Sequence, residues 1–411
     1  MAGRDLLLLR RLPDGPAART FLVAVFIDAA GRGLFLAGSA LFYTQVIGLT
    51  TAQVGTGLSV AALCGLLCVV PIGRVADRIG APQTLIALQL WRGLGFFVYP
   101  FLTDFTQFLL VACFLGMVEN AVTPILQSIA GSIAGAGTPV GTMAAVAVIR
   151  NAAYSLAALA ATLSITLAGP AAYTGFVLAN ATAFVLTALL LLRVRHGLPR
   201  VAATADPVSA LAALPWRDLR FLGLALLNGV LFLHMVILSV ALPLWIITRT
   251  SAPEPIVGVV LLVNTVLAVT LQVRFSRGGD DLGHAGRLQR RAGVALAVFC
   301  VLAAASAGSP PAVATAVVLL AAVALTFGEL WQSAGGWGVS FQLAPADRRN
   351  YYLGLYNLGA SGIAVLGPGL LTVAVVGRGP VGWLVLGGVF LVTGFLVAAI
   401  ADRPAREVAV R

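Results

Sequence analysis

The stretch "PIGRVADRIGAP", residues 71–82, holds two prolines, two glycines and three charged side chains within twelve positions. It lies between two long apolar runs, in a chain of 411 residues of which only 10% are charged. Proline and glycine favour turns because they fix or free the backbone where a chain must reverse. The stretch therefore predicts a short charged hinge between two hydrophobic helices.

The composition decides what those helices are. The chain is 60% hydrophobic, with a mean hydropathy of +0.99, whereas soluble domains are about 45–50% apolar and about a quarter charged. Apolar runs long enough to cross a bilayer recur from end to end. We predict an all-α integral membrane protein with twelve transmembrane helices. Their expected windows are 20–43, 52–74, 83–101, 106–134, 140–168, 171–193, 219–247, 255–275, 290–307, 311–341, 350–376 and 381–401.

The polar stretch 194–218 interrupts this series at the midpoint of the chain and carries Pro199, Pro207 and Pro215. Such a stretch is typical of a linker between two domains. We predict an N-terminal six-helix half over 1–193, a cytoplasmic linker over 194–218 and a C-terminal six-helix half over 219–411.

The two predicted halves resemble each other. "FLVAVFIDAAG" (21–31) aligns with "FLGLALLNGVL" (221–231), which places Asp28 opposite Asn228. "IRNAAYSLAALAA" (149–161) aligns with "LYNLGASGIAVLG" (355–367) at a similar offset. Matches in the same order and at similar offsets suit two pseudo-symmetric repeats with a ligand site between them.

Every one of the 26 basic residues is arginine. Without lysine the chain has no P-loop ATPase motif and no Schiff-base lysine. If both termini are cytoplasmic, 21 arginines lie on the inner side and only Arg249 and Arg378 on the outer side. This asymmetry predicts that both termini are cytoplasmic, and we expect a multi-pass protein of the inner (cytoplasmic) cell membrane. The net charge of +11 then faces anionic lipid rather than nucleic acid.

Residues for metal or nucleophilic chemistry are scattered. The four cysteines lie inside apolar runs and are expected to be buried thiols. The histidines His196, His234 and His284 fall on a loop, a helix and a loop, and no G-x-S-x-G elbow occurs. We predict no metal, no cofactor and no enzymatic activity. A membrane-embedded enzyme is the alternative from a different class of function.

Gly73, Asp77, Arg78 and Gly80 form the pattern G-x-x-x-D-R-x-G. This pattern resembles the signature between helices two and three of the major facilitator superfamily of transporters. The runs 33–67 ("GLFLAGSALFYTQVIGLTTAQVGTGLSVAALCGLL") and 326–357 ("TFGELWQSAGGWGVSFQLAPADRRNYYLGLYN") look similar to its bacterial drug/proton antiporter-type exporters. Helix five departs from them: "RNAAYSLAALAATL" (150–163) has alanines where the antiporters carry a glycine-rich run.

The resemblance implies that this motif is a conformational latch, with Asp77 holding the outward-open state. Gly73 and Gly80 permit close approach and a tight turn. The Asp77 carboxylate can accept hydrogen bonds from a helix N-terminus or pair with an arginine such as Arg78. The alternative interpretation is a simple turn whose arginines only reflect the general excess of positive charge on the cytoplasmic side.

Five ionisable side chains fall near the middle of predicted helices in the N-terminal half, where each is costly unless paired or hydrated. They are Asp28, Arg32, Arg92, Glu119 and Arg150. Protonating Asp28 or Glu119 would leave an arginine unpaired in a low-dielectric medium. We therefore predict proton coupling through this group, with structural salt bridging as the alternative.

A second set of polar side chains is predicted to line a substrate cavity in an otherwise apolar interior. Such a cavity suits an amphipathic small molecule, although Asn and Gln also join membrane helices by hydrogen bonds. The set is Glu329, Gln332, Asn120, Gln127, Tyr154, Asn228, His234 and Trp331.

Taken with the resemblance, these patterns predict a secondary active transporter that acts as a monomer in the lipid bilayer. We expect it to export a small, largely apolar or amphipathic compound by alternating access, with protons as the coupling ion. One alternative is a transporter of an organic anion that uses Arg32 and Arg150. The other is a non-transporting membrane receptor.

Overall fold

The computed structural model describes residues 15–134, 137–168, 171–198 and 218–402, and these residues are almost entirely helical, with no strand among them. Short π-helical turns occur at Phe42–Val46, Ile237–Ala241 and Thr372–Val376. The helices are α1 Pro16–Leu41, α2 Thr51–Ile79, α3 Ala81–Val98, α4 Phe105–Ser132, α5 Pro139–Ala168, α6 Ala171–Val194, α7 Leu219–Arg249, α8 Ile256–Phe275, α9 Leu282–Ala305, α10 Pro311–Leu343, α11 Arg349–Leu371 and α12 Pro380–Ala401.

Eleven of these helices are long and apolar enough, by length and composition, to cross a membrane. The remaining one, α3, is 18 residues long and carries Gln83, Gln89 and Arg92, which lower its hydropathy. The predicted fold class, an all-α membrane protein of twelve helices, is confirmed.

The prediction of a hinge over residues 71–82 is wrong in extent. Helix α2 continues through Pro71 to Ile79, and only Gly80, with a φ of +99°, separates it from α3. A left-handed φ is accessible to glycine without steric cost, and Pro82 stands in the first turn of α3, where its missing N–H is not needed. The charged side chains of the stretch therefore lie on the last turns of a helix rather than on a loop.

Side-chain caps define several helix starts. The Thr50 hydroxyl accepts from the Gln53 N–H, and the Gln53 carboxamide accepts from the Thr50 N–H, a capping box at the start of α2. Asp281 caps α9 through the N–H of His284 at 2.7 Å. Helix α9 thus begins at Leu282, eight residues before the predicted window, and His284 lies in a helix rather than in the expected loop.

The chain divides into two compact units that are discontinuous in sequence. The first comprises Met1–Ala213, Ala268–Val273 and Ala344–Ser361, and the second Leu214–Leu267, Arg274–Leu343 and Gly362–Arg411. The division at the linker 194–218 stays a prediction, because residues 199–217 lie outside those described.

Each unit has its own buried aromatic core. In the first, Phe35 packs edge-to-face on Phe96 with ring centroids 4.8 Å apart, and Tyr43 packs on Phe108 at 5.0 Å. In the second, Trp383 packs on Trp245 at 5.7 Å, and the Trp245 indole N–H donates to the Ala303 carbonyl at 3.0 Å. These contacts fix the helices that carry the polar side chains described next.

Candidate functional site

Asp28 of α1 and Arg92 of α3 form a buried ion pair. The distance from Nη1 of Arg92 to Oδ1 of Asp28 is 3.1 Å, and the Arg92 side chain is only 1% exposed. The Gln89 carboxamide also donates to Oδ1 of Asp28, at 2.8 Å. The Arg92 guanidinium lies 3.7 Å from the centroid of the Phe184 ring, a favourable cation–π position.

Glu119 of α4 extends this pair into a chain of four charged groups. Its Oε2 lies 3.2 Å from Nε of Arg92, and its Oε1 pairs with the guanidinium of Arg32. The side chains at one end are buried, with 12% exposure at Asp28 and 1% at Arg92, whereas Glu119 and Arg32 at the other end are 31% and 28% exposed. The structure therefore brings together four of the five residues predicted for proton coupling, and one end of the chain is accessible.

Arg150 of α5 is the fifth. It interacts with Tyr154, one helical turn along α5, and lies within electrostatic range of Asp28. Within the described part of the chain, no carboxylate forms an ion pair with it. The group thus carries three arginines against two carboxylates, a net charge of +1 when all five are ionised.

A cavity of about 230 Å³ within the first unit reaches this group. Arg32, Arg92 and Glu119 line it, together with Asn120 and Asn180. The rest of its wall is mostly apolar and aromatic. The aromatic residues are Phe35, Tyr43, Phe96, Tyr99 and Phe184.

Two residues of this site were missed by the sequence reasoning. Gln89 stands three residues before Arg92 and so on the same helical face, a spacing that could have identified it. Asn180 of α6 is a single amide in an apolar helix, which carries no pattern of its own. Both of its amide atoms are buried without a hydrogen-bond partner.

In the second unit, Glu329 and His234 belong to a smaller polar group. The Asn264 carboxamide donates to Oε2 of Glu329 at 2.7 Å and to the Thr326 hydroxyl at 3.1 Å. The His234 ring is 1% exposed and its Nδ1 lies 2.9 Å from the Leu231 carbonyl oxygen. This group holds one acid and no arginine partner among the described residues.

Asn228 and Gln332, both predicted to line a cavity, are buried and bonded to each other. Oδ1 of Asn228 accepts from Gln332 at 2.9 Å and from Gln289 at 3.3 Å. Trp331 packs between aromatic rings, with its centroid 5.4 Å from that of Phe275. These contacts join helices of the second unit.

Among the remaining predicted cavity residues, Gln127 accepts from the Asn357 carboxamide at 3.3 Å, and Asn120 lies at the cavity of the first unit. Tyr154 sits beside Arg150. A shared substrate cavity for all eight residues stays a prediction.

The motif residues of α2 contact the N-terminus of α11. The carboxylate of Asp77 accepts from the backbone N–H of Asn350 at 2.9 Å, from its carboxamide at 2.7 Å and from the N–H of Tyr351 at 3.0 Å. A carboxylate at this place satisfies free N–H groups and the positive end of the helix dipole. Arg74 adds a hydrogen bond to the Tyr351 hydroxyl at 2.8 Å.

The other motif residues have different roles. A Cβ on Gly73 would lie 2.9 Å from the Asn350 carbonyl oxygen, so this position permits the close approach of α2 and α11. Gly80 supplies the break before α3. Arg78 is exposed. The latch itself stays a prediction, but Asp77 and Gly73 have the contacts that it requires.

No group of three or more His, Cys, Asp or Glu side chains in the described ranges is arranged to hold a metal ion. The four cysteines are free thiols, of which Cys300 is buried.

Comparison with known proteins gives matches at the level of family and fold. The model of the Major Facilitator Superfamily matches residues 21–368. An uncharacterized MFS-type transporter of Methanocaldococcus jannaschii is 27% identical over 112 residues, which span 27% of this chain and 29% of that protein.

Two solved structures share the fold over 93% of this chain. One is a bacterial homologue of the iron transporter ferroportin in an outward-facing state, with a TM-score of 0.70 at 15% identity and 98% of its chain covered. The other is the human organic anion transporter MFSD10 (TETRAN), with a TM-score of 0.62 at 14% identity and all of its chain covered.

Proposed function

Because the chain belongs to the major facilitator superfamily, and so is a multi-pass membrane transporter rather than an enzyme, we propose that it couples substrate export to a proton gradient. The substrate is a small, largely apolar or amphipathic compound, moved by alternating access. The protein works as a monomer in the inner cell membrane, with both termini cytoplasmic.

The observation that carries the proposal is the chain Asp28–Arg92–Glu119–Arg32. Its carboxylates are held by arginines in the middle of helices, and Glu119 is 31% exposed at a cavity. A proton that reaches Glu119 neutralises it and frees Arg32 and Arg92 from one partner. Arg92 keeps Asp28 as its partner, whereas Arg32 loses its carboxylate. A partly buried arginine without a counter-charge is unfavourable, so the protonated state favours a conformation that hydrates or re-pairs Arg32.

The substrate specificity follows from the lining. A mostly apolar wall with few polar groups favours compounds with an apolar body and one polar end. The Asp77 contact with α11 supplies the conformational control.

The test is transport by purified protein in liposomes. A panel of neutral, anionic and cationic amphipathic compounds is offered with an imposed pH gradient, and accumulation is compared with that in liposomes without a gradient. We expect accumulation of at least one class only with the gradient, and its collapse when a protonophore is added. Equal distribution in both preparations would contradict proton coupling.

A second candidate, transport of an organic anion, is favoured by Arg150, which has no carboxylate partner in the described part of the chain. An anionic substrate would balance the net charge of +1. Under this candidate Arg150→Ala abolishes substrate binding at every pH, whereas under a pure coupling role binding survives. A complete lack of counterflow for all compounds would favour a non-transporting receptor.

A further inference from the structure

We infer that the 230 Å³ cavity of the first unit binds a small aromatic carboxylic acid in its ionised form, held through Arg32. The inference rests on the proposed transport function and narrows its substrate class. It assigns the site to helices of one unit: α1, α2, α3, α4 and α6.

Charge selects the anion. Three ionisable side chains line the cavity, Arg32, Arg92 and Glu119. They sum to +1, and the Glu119 carboxylate is already engaged by both arginines. An incoming cation would meet an excess of positive charge, whereas a single carboxylate would neutralise it. A neutral ligand would leave the excess unchanged.

Arg32 is the arginine that a ligand can reach. Its side chain is 28% exposed, whereas that of Arg92 is 1% exposed. One terminal nitrogen of Arg32 is bonded to Glu119, and a guanidinium has five N–H donors in a planar fork. The remaining donors can hold a carboxylate in the bidentate manner that arginine favours.

The wall selects an aromatic body of limited size. Phe35, Phe96 and Tyr99 pack on one another with ring centroids 4.8 to 6.4 Å apart. They form a preformed aromatic wall that a ligand ring can pack against. The volume equals about eight water molecules at roughly 30 Å³ each. It is below the range of about 300–1,000 Å³ typical of drug-sized ligands, so one or two fused rings fit and larger drugs do not.

The test measures binding of 1-naphthoate and its neutral isostere 1-naphthamide to the purified full-length protein by calorimetry. We expect naphthoate to bind at least tenfold more tightly than naphthamide, and Arg32→Gln to remove that difference. Equal binding of the two compounds, or an unchanged difference in Arg32→Gln, would overturn the inference.

Because Arg32→Gln also disturbs Glu119, a second variant fills the cavity without changing charge. Ala62 lines the cavity, whereas Leu63 is 52% exposed and outside the lining. Ala62→Phe should abolish naphthoate binding, and Leu63→Phe should preserve it. Retained binding in Ala62→Phe would place the ligand elsewhere and refute the assignment.

Transport assays separate this inference from the proposed function. If naphthoate binds as expected but no compound is moved by a pH gradient, the transport proposal fails and the site remains. If amphipathic compounds accumulate with a gradient while naphthoate neither binds nor competes, the site assignment fails and the transport proposal remains.

Discussion

Gln89 donates a hydrogen bond to Asp28 across 2.8 Å, and the same contact recurs between Gln289 and Asn228 at 3.3 Å. In each unit the glutamine lies on the third helix of the repeat and its partner on the first. Both pairs are offset by 200 residues (289 − 89 and 228 − 28). Arg92, three residues after Gln89, corresponds to Ala292. The glutamine contact is thus accompanied by two charged side chains, Asp28 and Arg92, in the first unit, whereas the corresponding residues of the second unit, Asn228 and Ala292, are uncharged.

Removal of the central arginine should destabilise the protein. Arg92→Gln leaves the buried Asp28 carboxylate with only Gln89 as a partner, and breaking a buried ion pair in this way costs about 3 kcal/mol. We expect a clear fall in the melting temperature in detergent, partly restored by Asp28→Asn in the same chain. The exposed Arg249→Gln serves as the control and should have no effect. Equal melting of Arg92→Gln and the control would show that the pair is solvated.

The neutral repeat should not tolerate a charge. Asn228→Asp places a carboxylate where Gln289 and Gln332 are the partners and Ala292 stands in place of an arginine. A buried, unpaired carboxylate is strongly unfavourable, so the melting temperature should fall well below that of wild type. Gln107→Glu, the same chemical change at an exposed position, should leave it unchanged. A stable Asn228→Asp protein would mean that this side chain is hydrated.

Gly73 should be required for the contact of α2 with α11. A methyl group there would lie 2.9 Å from the Asn350 carbonyl oxygen, whereas one on Gly55 of the same helix would have nothing within 4 Å. In an unhindered helix, replacing glycine with alanine stabilises by about 0.5–1 kcal/mol. Gly55→Ala should therefore raise the melting temperature and Gly73→Ala should lower it. A rise in both would show that α2 and α11 can separate without cost.

Loss of the Asp77 charge should loosen the same contact. Asp77→Asn keeps one acceptor oxygen but weakens three hydrogen bonds to the start of α11. In a background without native cysteines, Val69→Cys places a thiol at a fully buried position beside Gly354 of α11. We expect maleimide to label this thiol several-fold faster with Asp77→Asn.

The control for that experiment is Asp104→Asn, because Asp104 caps its own helix through Gln107 and is remote in sequence from the motif. It should leave the labelling rate of Val69→Cys unchanged. If Asp77→Asn also leaves the labelling rate unchanged, the Asp77 carboxylate does not hold α2 against α11, and the motif only marks the end of a helix.

The helices could be predicted from the sequence because a helix that crosses the hydrocarbon core of a bilayer needs about 20 consecutive, mostly apolar residues. The hinge could not be delimited, because Pro71 is compatible with a continuing helix and only the φ of Gly80 ends it. Helix α9 was predicted too short because its first turns are polar and the Asp281 cap is a local signal without hydrophobic periodicity.

The charged residues of the candidate site could be predicted, because an ionised side chain inside a membrane is energetically costly and therefore stands out in the sequence. Asp28, Arg92 and Glu119 were identified because ionised groups inside a membrane are rare, and they do pair. Amides give a weaker signal, since Asn and Gln serve packing as readily as binding. This is why Asn228 and Gln332, predicted for the cavity, turn out to be bonded to each other, and why Asn180 was missed.

The most direct test of proton coupling through Asp28 and Glu119 compares two assays of the same liposomes. Gradient-driven accumulation requires proton exchange, whereas counterflow of substrate between two pools requires only binding and alternating access. We expect Asp28→Asn and Glu119→Gln each to abolish accumulation while counterflow remains measurable. Uphill accumulation at the wild-type rate in both variants would contradict it and leave these acids as structural partners of Arg32 and Arg92.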